Sequence, residues 1–120
     1  MDDFSPGTHL LVDHRGGAGM TDPDVLEQAM RGAAEAAEAT VLSAHFHQFP
    51  DSAGVTGVLL LAESHISVHT WPEHDYAAFD IFVCGEGQGK KAADFLARAL
   101  LPDWTQIRAV QRNHFSHAPT

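Results

Sequence analysis

Hydrophobic positions along the chain follow two rhythms. THLLVD (Thr8 to Asp13) is a short apolar run of strand length. From residue 23 the spacing changes: Val25, Leu26, Ala29, Met30, Ala33 and Ala37 recur at intervals of three and four. That spacing predicts a helix to about Glu38 with one apolar face. Thr21 or Asp22 suits its cap, Pro23 its first position, and Asp24 and Glu27 its positive end. Further strands are predicted at 40–49, 55–63 and 77–84, with a β-prone stretch, Ile66 to Thr70, that Pro72 stops. GEGQG then opens a second helix at about Lys90 to Leu101, where Ala92, Ala93, Phe95, Leu96, Ala99 and Leu100 form an apolar stripe. A last strand is predicted at Thr105 to Arg112.

Strands joined by short turns and interrupted by two helices predict an α+β fold. The expected form is a two-layer sandwich, a mostly antiparallel sheet with both helices on one face. The other face then needs a cover, for which a two-fold dimer is the expected solution. The 120 residues are expected to form one domain, 1–120, with little room for a deep pocket of its own. A ligand site between two copies would ease that limit.

Sixteen acidic against seven basic residues give a formal charge of −9, which argues against nucleic acid as a partner. A single cysteine permits no internal disulfide and fits a cytoplasmic protein. MDDFSPG does not read as a secretion signal, and the longest apolar run, Val58 to Ala62, is far too short to span a bilayer. No membrane partner is expected.

Several residues invite chemical readings. His45 and His47 share a strand face, and His65 and His69 could add metal ligands. No recurrent carboxylate or thiol spacing accompanies them, so no metal is expected. Ser64 and His69 suggest a hydrolase, but Ser64 lacks the flanking glycines of a nucleophile elbow. GEGQGKK is not a phosphate loop, because Lys90 is followed by Lys91 rather than Ser or Thr.

Taken together, ESHISVHTWPE (63–73) and AAFDIFVCG (77–85), with HLLVD, FHQF and GVTGV upstream, resemble the prokaryotic, pyruvoyl-dependent S-adenosylmethionine decarboxylase proenzymes. The resemblance implies that the chain makes its own cofactor. The Ser64 hydroxyl attacks the carbonyl of Glu63, the amide becomes an ester, and elimination cuts the chain. A β chain of residues 1–63 and an α chain of 64–120 remain associated, and residue 64 becomes a pyruvoyl group. Its carbonyl condenses with the substrate's α-amine and draws electrons as carbon dioxide leaves.

The same resemblance assigns roles. His69 is the base of processing, Thr56 supplies a hydroxyl where the family has serine, and Cys84 is the proton donor. Phe49 stacks on adenine, and Glu73 accepts from the ribose hydroxyls. The implied substrate is S-adenosylmethionine, in polyamine biosynthesis, and the implied assembly a homodimer of processed units. Three departures make the neighbourhood more negative: Gln48 where Lys or Arg is usual, Asp75 after the Pro-Glu-His corner, and Asp51 in the loop. They raise an alternative, decarboxylation of ornithine or arginine with Asp75 or Glu73 meeting the terminal cation. A further alternative is an unprocessed, non-catalytic relative.

Overall fold

The structure, a computed structural model, describes Phe4 and residues 7–113. Apart from Phe4 and Gly7, the stretch read as no secretion signal lies outside the described residues, as do the outer ends of the expected chains 1–63 and 64–120. The elements in chain order are β1 (Thr8–Arg15), α1 (Pro23–Ala36), β2 (Val41–Gln48), β3 (Val55–Leu61), β4 (Ser64–Trp71), a single 3-10 turn (Pro72–His74), β5 (Tyr76–Val83), α2 (Gln88–Leu100) and β6 (Trp104–Gln111). The strands form one sheet in the order β2-β3-β4-β5-β1-β6. Every neighbouring pair is antiparallel. This is the expected α+β sandwich.

Alternation along the strands decides which face the helices cover. Leu59 and Leu61 of β3, Ile66 and Val68 of β4, Phe79 and Ile81 of β5, and Val12 of β1 are all buried. They meet Leu26, Met30 and Ala33 of α1 and Leu96 of α2 in one core. Gly32 lets the helices approach: a Cβ there would lie 2.3 Å from the Phe95 ring, closer than real atoms come. α1 opens on Asp22, whose carboxylate accepts from Asp24 N and Val25 N at 3.0 and 3.3 Å. The cap is thus Asp22 rather than Thr21. Among the described residues no helix is long and apolar enough to cross a membrane.

The opposite face of the sheet carries no helix. Leu11, Leu60, Trp71 and Val110 are exposed there, at 38%, 45%, 40% and 46%. Large apolar side chains left exposed on the uncovered face of a charged chain call for a cover.

Two boundaries differ from the sequence reading, and both matter below. The β-prone 66–70 stretch is a full strand beginning at Ser64, and β3 stops at Leu61. Leu61 pairs with Ser64, so only Ala62 and Glu63 make the turn between them. Ser64 and His65 are polar and extend a strand whose buried face is set by Ile66, Val68 and Thr70.

One polar group in the core has a measurable consequence. His14 is 1% exposed, packs 4.9 Å from the Phe79 ring, and has a buried Nε2 without a hydrogen-bond partner. Burial pushes its pKa below 6.5, against a smaller opposing pull from Asp13. The native state therefore holds this imidazole neutral where the unfolded chain takes up a proton. Its contribution to stability is intact above pH 6.5 and falls as pH drops through the window below it. Urea unfolding of wild type should show stability declining there, with a limiting slope of about 1.4 kcal/mol per pH unit from this residue. His14→Leu should flatten that decline; an unchanged profile would refute the assignment.

Candidate active site

The Ala62–Glu63 turn is unusual for a two-residue hairpin. Such loops favour positive φ at both central positions or at the first, to match the strand twist. Here the second, Glu63, is the left-handed one, with φ 63°, and it is not glycine. That conformation stores roughly 1–2 kcal/mol for an L-residue. Ser64 follows immediately, and its hydroxyl donates to Ala62 O at 3.3 Å.

Cys84 stands just past the end of β5. Since His65 pairs with Phe82, the antiparallel register carries Cys84 to the level of Glu63. Its thiol is exposed and lies 3.8 Å from Glu63 O, within reach of a sulfur donor. Glu63, Ser64 and Cys84 thus meet at one end of the sheet. Beside them on the open face is a cluster of His9, His65 and Phe82, with ring centroids 5.4 to 6.1 Å apart. His9 and Phe82 sit on different strands, far apart in sequence, and the sequence reading gave neither a role.

The other expected residues gather at the opposite end. Thr56 pairs directly with His69 across β3 and β4, and Thr56 Oγ1 is 3.1 Å from His69 Nδ1. His47 is level with Thr56 on β2. Together with His45, Val58 and Ser67 these line an open cleft of about 340 Å³. Phe49 follows β2, is 45% exposed, and meets the His47 ring edge-on at 4.7 Å. Glu73 lies in the exposed 3-10 turn, and Asp75 closes that turn with φ 53° and its amide on Pro72 O. His69, Trp71 and Tyr76 stack in sequence, with centroids 6.0 and 5.4 Å apart. Trp71 and Tyr76 also line a cleft of about 470 Å³ with Arg15 and His74.

The sequence expectation joined Ser64 and His69 in one site. Within one chain they do not meet. Both lie on β4, five residues apart, which at the rise of a strand is roughly 17 Å. The odd interval also turns them to opposite faces: His69 is on the open side, while Ser64 falls in step with buried Ile66 and Val68. Gln48, one of the three departures that make the neighbourhood more negative, also has structural partners. Both N–H groups of Gln48 are engaged by backbone carbonyls, Thr21 O at 2.6 Å and Ala53 O at 3.1 Å. No cluster of three or more metal-ligating side chains exists among the described residues.

Comparison with known proteins gives a consistent picture. Residues 8–113 match the family described as S-adenosylmethionine decarboxylase. An S-adenosylmethionine decarboxylase proenzyme of Sulfurihydrogenibium sp. (strain YO3AOP1) is 46% identical over 111 residues, spanning 88% of this chain and 81% of the relative. One from Hydrogenobaculum sp. (strain Y04AAS1) is 40% identical over 113 residues, with the same coverage. The crystal structure of the adenosylmethionine decarboxylase from Aquifex aeolicus VF5 superposes with a TM-score of 0.79 at 32% identity, covering 97% of this chain and 98% of that one.

The electrostatics of the second cluster can be tested on a single chromophore, because the chain has one tyrosine. Tyr76 donates to Asp13 Oδ1 at 2.7 Å. That hydrogen bond, then burial and the Asp13 charge, raise the phenol to about 12. Alkaline ultraviolet titration of the native protein should therefore give a midpoint near 12, moving toward 10 in Asp13→Ala. A wild-type midpoint at 10 would show that the bond does not form in solution.

Proposed function

Because the chain belongs to the S-adenosylmethionine decarboxylase family, we propose that it is a proenzyme that cuts itself between Glu63 and Ser64 and then decarboxylates S-adenosylmethionine at the new end. The observation that carries this is the geometry of one hairpin. The peptide to be cut follows a left-handed Glu63, its carbonyl has the Cys84 thiol 3.8 Å away, and the attacking hydroxyl is on the next residue.

Processing balances without a co-reactant other than water. The Ser64 hydroxyl adds to the Glu63 carbonyl, and the Cys84 S–H can stabilise the charge that develops on that oxygen. The C–N bond breaks to give an ester and a free amine at residue 64. Loss of the α-proton of residue 64 expels Glu63 as a carboxylate. Water then replaces the nitrogen, releasing ammonia and leaving a pyruvoyl group at the head of the 64–120 chain. The residues around it fit such a group: the exposed Cys84 thiol lies against the Glu63 carbonyl, and the His9, His65 and Phe82 rings cluster at the same end of the sheet, with the Arg112 guanidinium 5.9 Å from the Phe82 ring. When formed, the pyruvoyl carbonyl supplies an electron sink for the substrate's α-carbon. Cys84 delivers the proton that replaces carbon dioxide. The family's name for the substrate is retained here, because the dibasic alternative has no support from the relatives, and Gln48 is spent on backbone carbonyls rather than left to tune a ligand.

The base for α-proton removal comes from a second copy. In this reading two chains pack through their open faces about a two-fold axis. Each brings its Thr56–His69 pair, with Phe49 and Glu73, to the Glu63–Ser64 turn and Cys84 at the sheet end of the other, giving two equivalent sites. Support comes from the roughly 17 Å between Ser64 and His69 along β4 and from the exposed apolar residues on that face. Phe49 offers a ring for adenine and Glu73 a carboxylate for the ribose.

Purified wild type should run as two fragments on a denaturing gel, with masses that divide the chain after residue 63, and Ser64→Ala should stay whole. A wild-type chain that folds and never divides would identify a non-catalytic relative instead. Cleavage in trans has its own test. His69→Ala alone should stay intact, but co-expressed with a tagged Ser64→Ala chain it should be cut, because the mixed dimer joins its Ser64 to an intact His69. Failure to restore cutting in isolated mixed dimers would rule out the shared site.

A further inference from the structure

We propose that Gln48 is a positioning residue for substrate affinity: its carboxamide clamps the loop that presents the Phe49 ring. The proposal rests on the reading of Phe49 as the adenine platform.

Gln48 ends β2 and is exposed, so the core does not need it. Its one nitrogen reaches two carbonyls that belong to different parts of the fold. One is Thr21 O, in the loop that leads into α1; the other is Ala53 O, across the β2–β3 turn. The turn between them is closed on itself. Phe49 N donates to Gly54 O at 2.8 Å, and Ala53 N donates to Phe49 O at 2.9 Å. Ala53 sits at φ 62°, a conformation that needs outside support in a residue with a Cβ. Phe49 is thus the first residue of a tight loop fixed to the body of the domain by the Gln48 side chain. A deeper fastening runs in parallel: buried Thr70 donates to Met20 O at 2.7 Å and accepts from Val55 N at 2.8 Å. Thr70 anchors the base of β3; Gln48 fastens the far side of the loop at Ala53, while the Phe49 ring itself rests edge-on against His47 at 4.7 Å.

An aromatic platform binds well only if its ring is already set, since ordering it on binding subtracts from affinity. Loss of the Gln48 bonds leaves two exposed carbonyls that water can satisfy, so the fold survives. What is lost is the angle of the ring. The effect therefore falls on substrate binding, not on chain cutting or the chemical step.

Gln48→Glu has nearly the same shape but offers only acceptors to two carbonyl oxygens. Gln48→Lys offers donors again. With fully cleaved protein, Gln48→Glu should raise KM for S-adenosylmethionine about ten-fold with kcat within about two-fold, and Gln48→Lys should restore KM to within about two-fold of wild type. Amide hydrogen exchange over residues 49–54 should speed up in Gln48→Glu and not in Gln48→Lys. Phe49→Ala separates the two layers of the argument. If it raises KM while Gln48→Glu leaves KM unmoved, Gln48 is no positioning residue. If Phe49→Ala itself leaves KM unmoved, the platform reading fails and takes this proposal with it. A Gln48→Glu protein that loses cleavage or kcat instead of affinity would reduce Gln48 to a structural role.

Discussion

A strand inside an antiparallel sheet is a rigid ruler, and β4 is the ruler on which this protein is laid out. It is hydrogen-bonded to β3 on one side and β5 on the other, so neither its length nor its twist can be adjusted to bring its ends together. Ser64 at its head and His69 five residues on are held apart, on opposite faces. Any chemistry that needs both must recruit a second molecule. In the proposed dimer the open, partly apolar face of the sheet and the separation of the two residue clusters have one explanation: the surface to be covered is also the surface that completes the site.

At the head of β4 the fold concentrates what backbone chemistry requires. A peptide bond is hard to break because it is planar and resonance-stabilised. The β3–β4 hairpin places a left-handed non-glycine residue on the acyl side of one such bond and a hydroxyl on the other. The end of β5 adds a thiol facing the carbonyl oxygen. None of these would suffice alone. The register of three neighbouring strands brings them to one level, and the buried partners of that register, Leu61, Ile66 and Val83, are what a slip by one residue would expose.

The architecture was largely legible from periodicity, because β1, β3, β4 and β5 carry buried residues at every second position and each helix a stripe at three and four. The start of β4 was not, since Ser64 and His65 look like turn residues until their pairing with Leu61 and Phe82 is known. The candidate site residues were marked by the ESHISVHTWPE run and Cys84, but adjacency in sequence hid the separation of Ser64 and His69 in space. A compact motif suggests a compact site; drawn out as a strand it spans the sheet. The contacts of Gln48 were hidden for a related reason. Its partners lie on the loop before α1 and beyond the next turn, and no local pattern announces a contact with Thr21.

The strand order has a last consequence, for the proposed division of the chain. A break after residue 63 leaves β1, α1, β2 and β3 on one piece and β4, β5, α2 and β6 on the other. The two pieces are not side by side but interleaved, with β1 wedged between β5 and β6. Prising them apart means tearing three seams of hydrogen bonds, so the halves should outlast many turnovers without a covalent link. Once melted, however, they must find each other by diffusion and re-thread that wedge, a journey the uncut chain made as a single molecule. Activation would make this a protein that folds reliably only once.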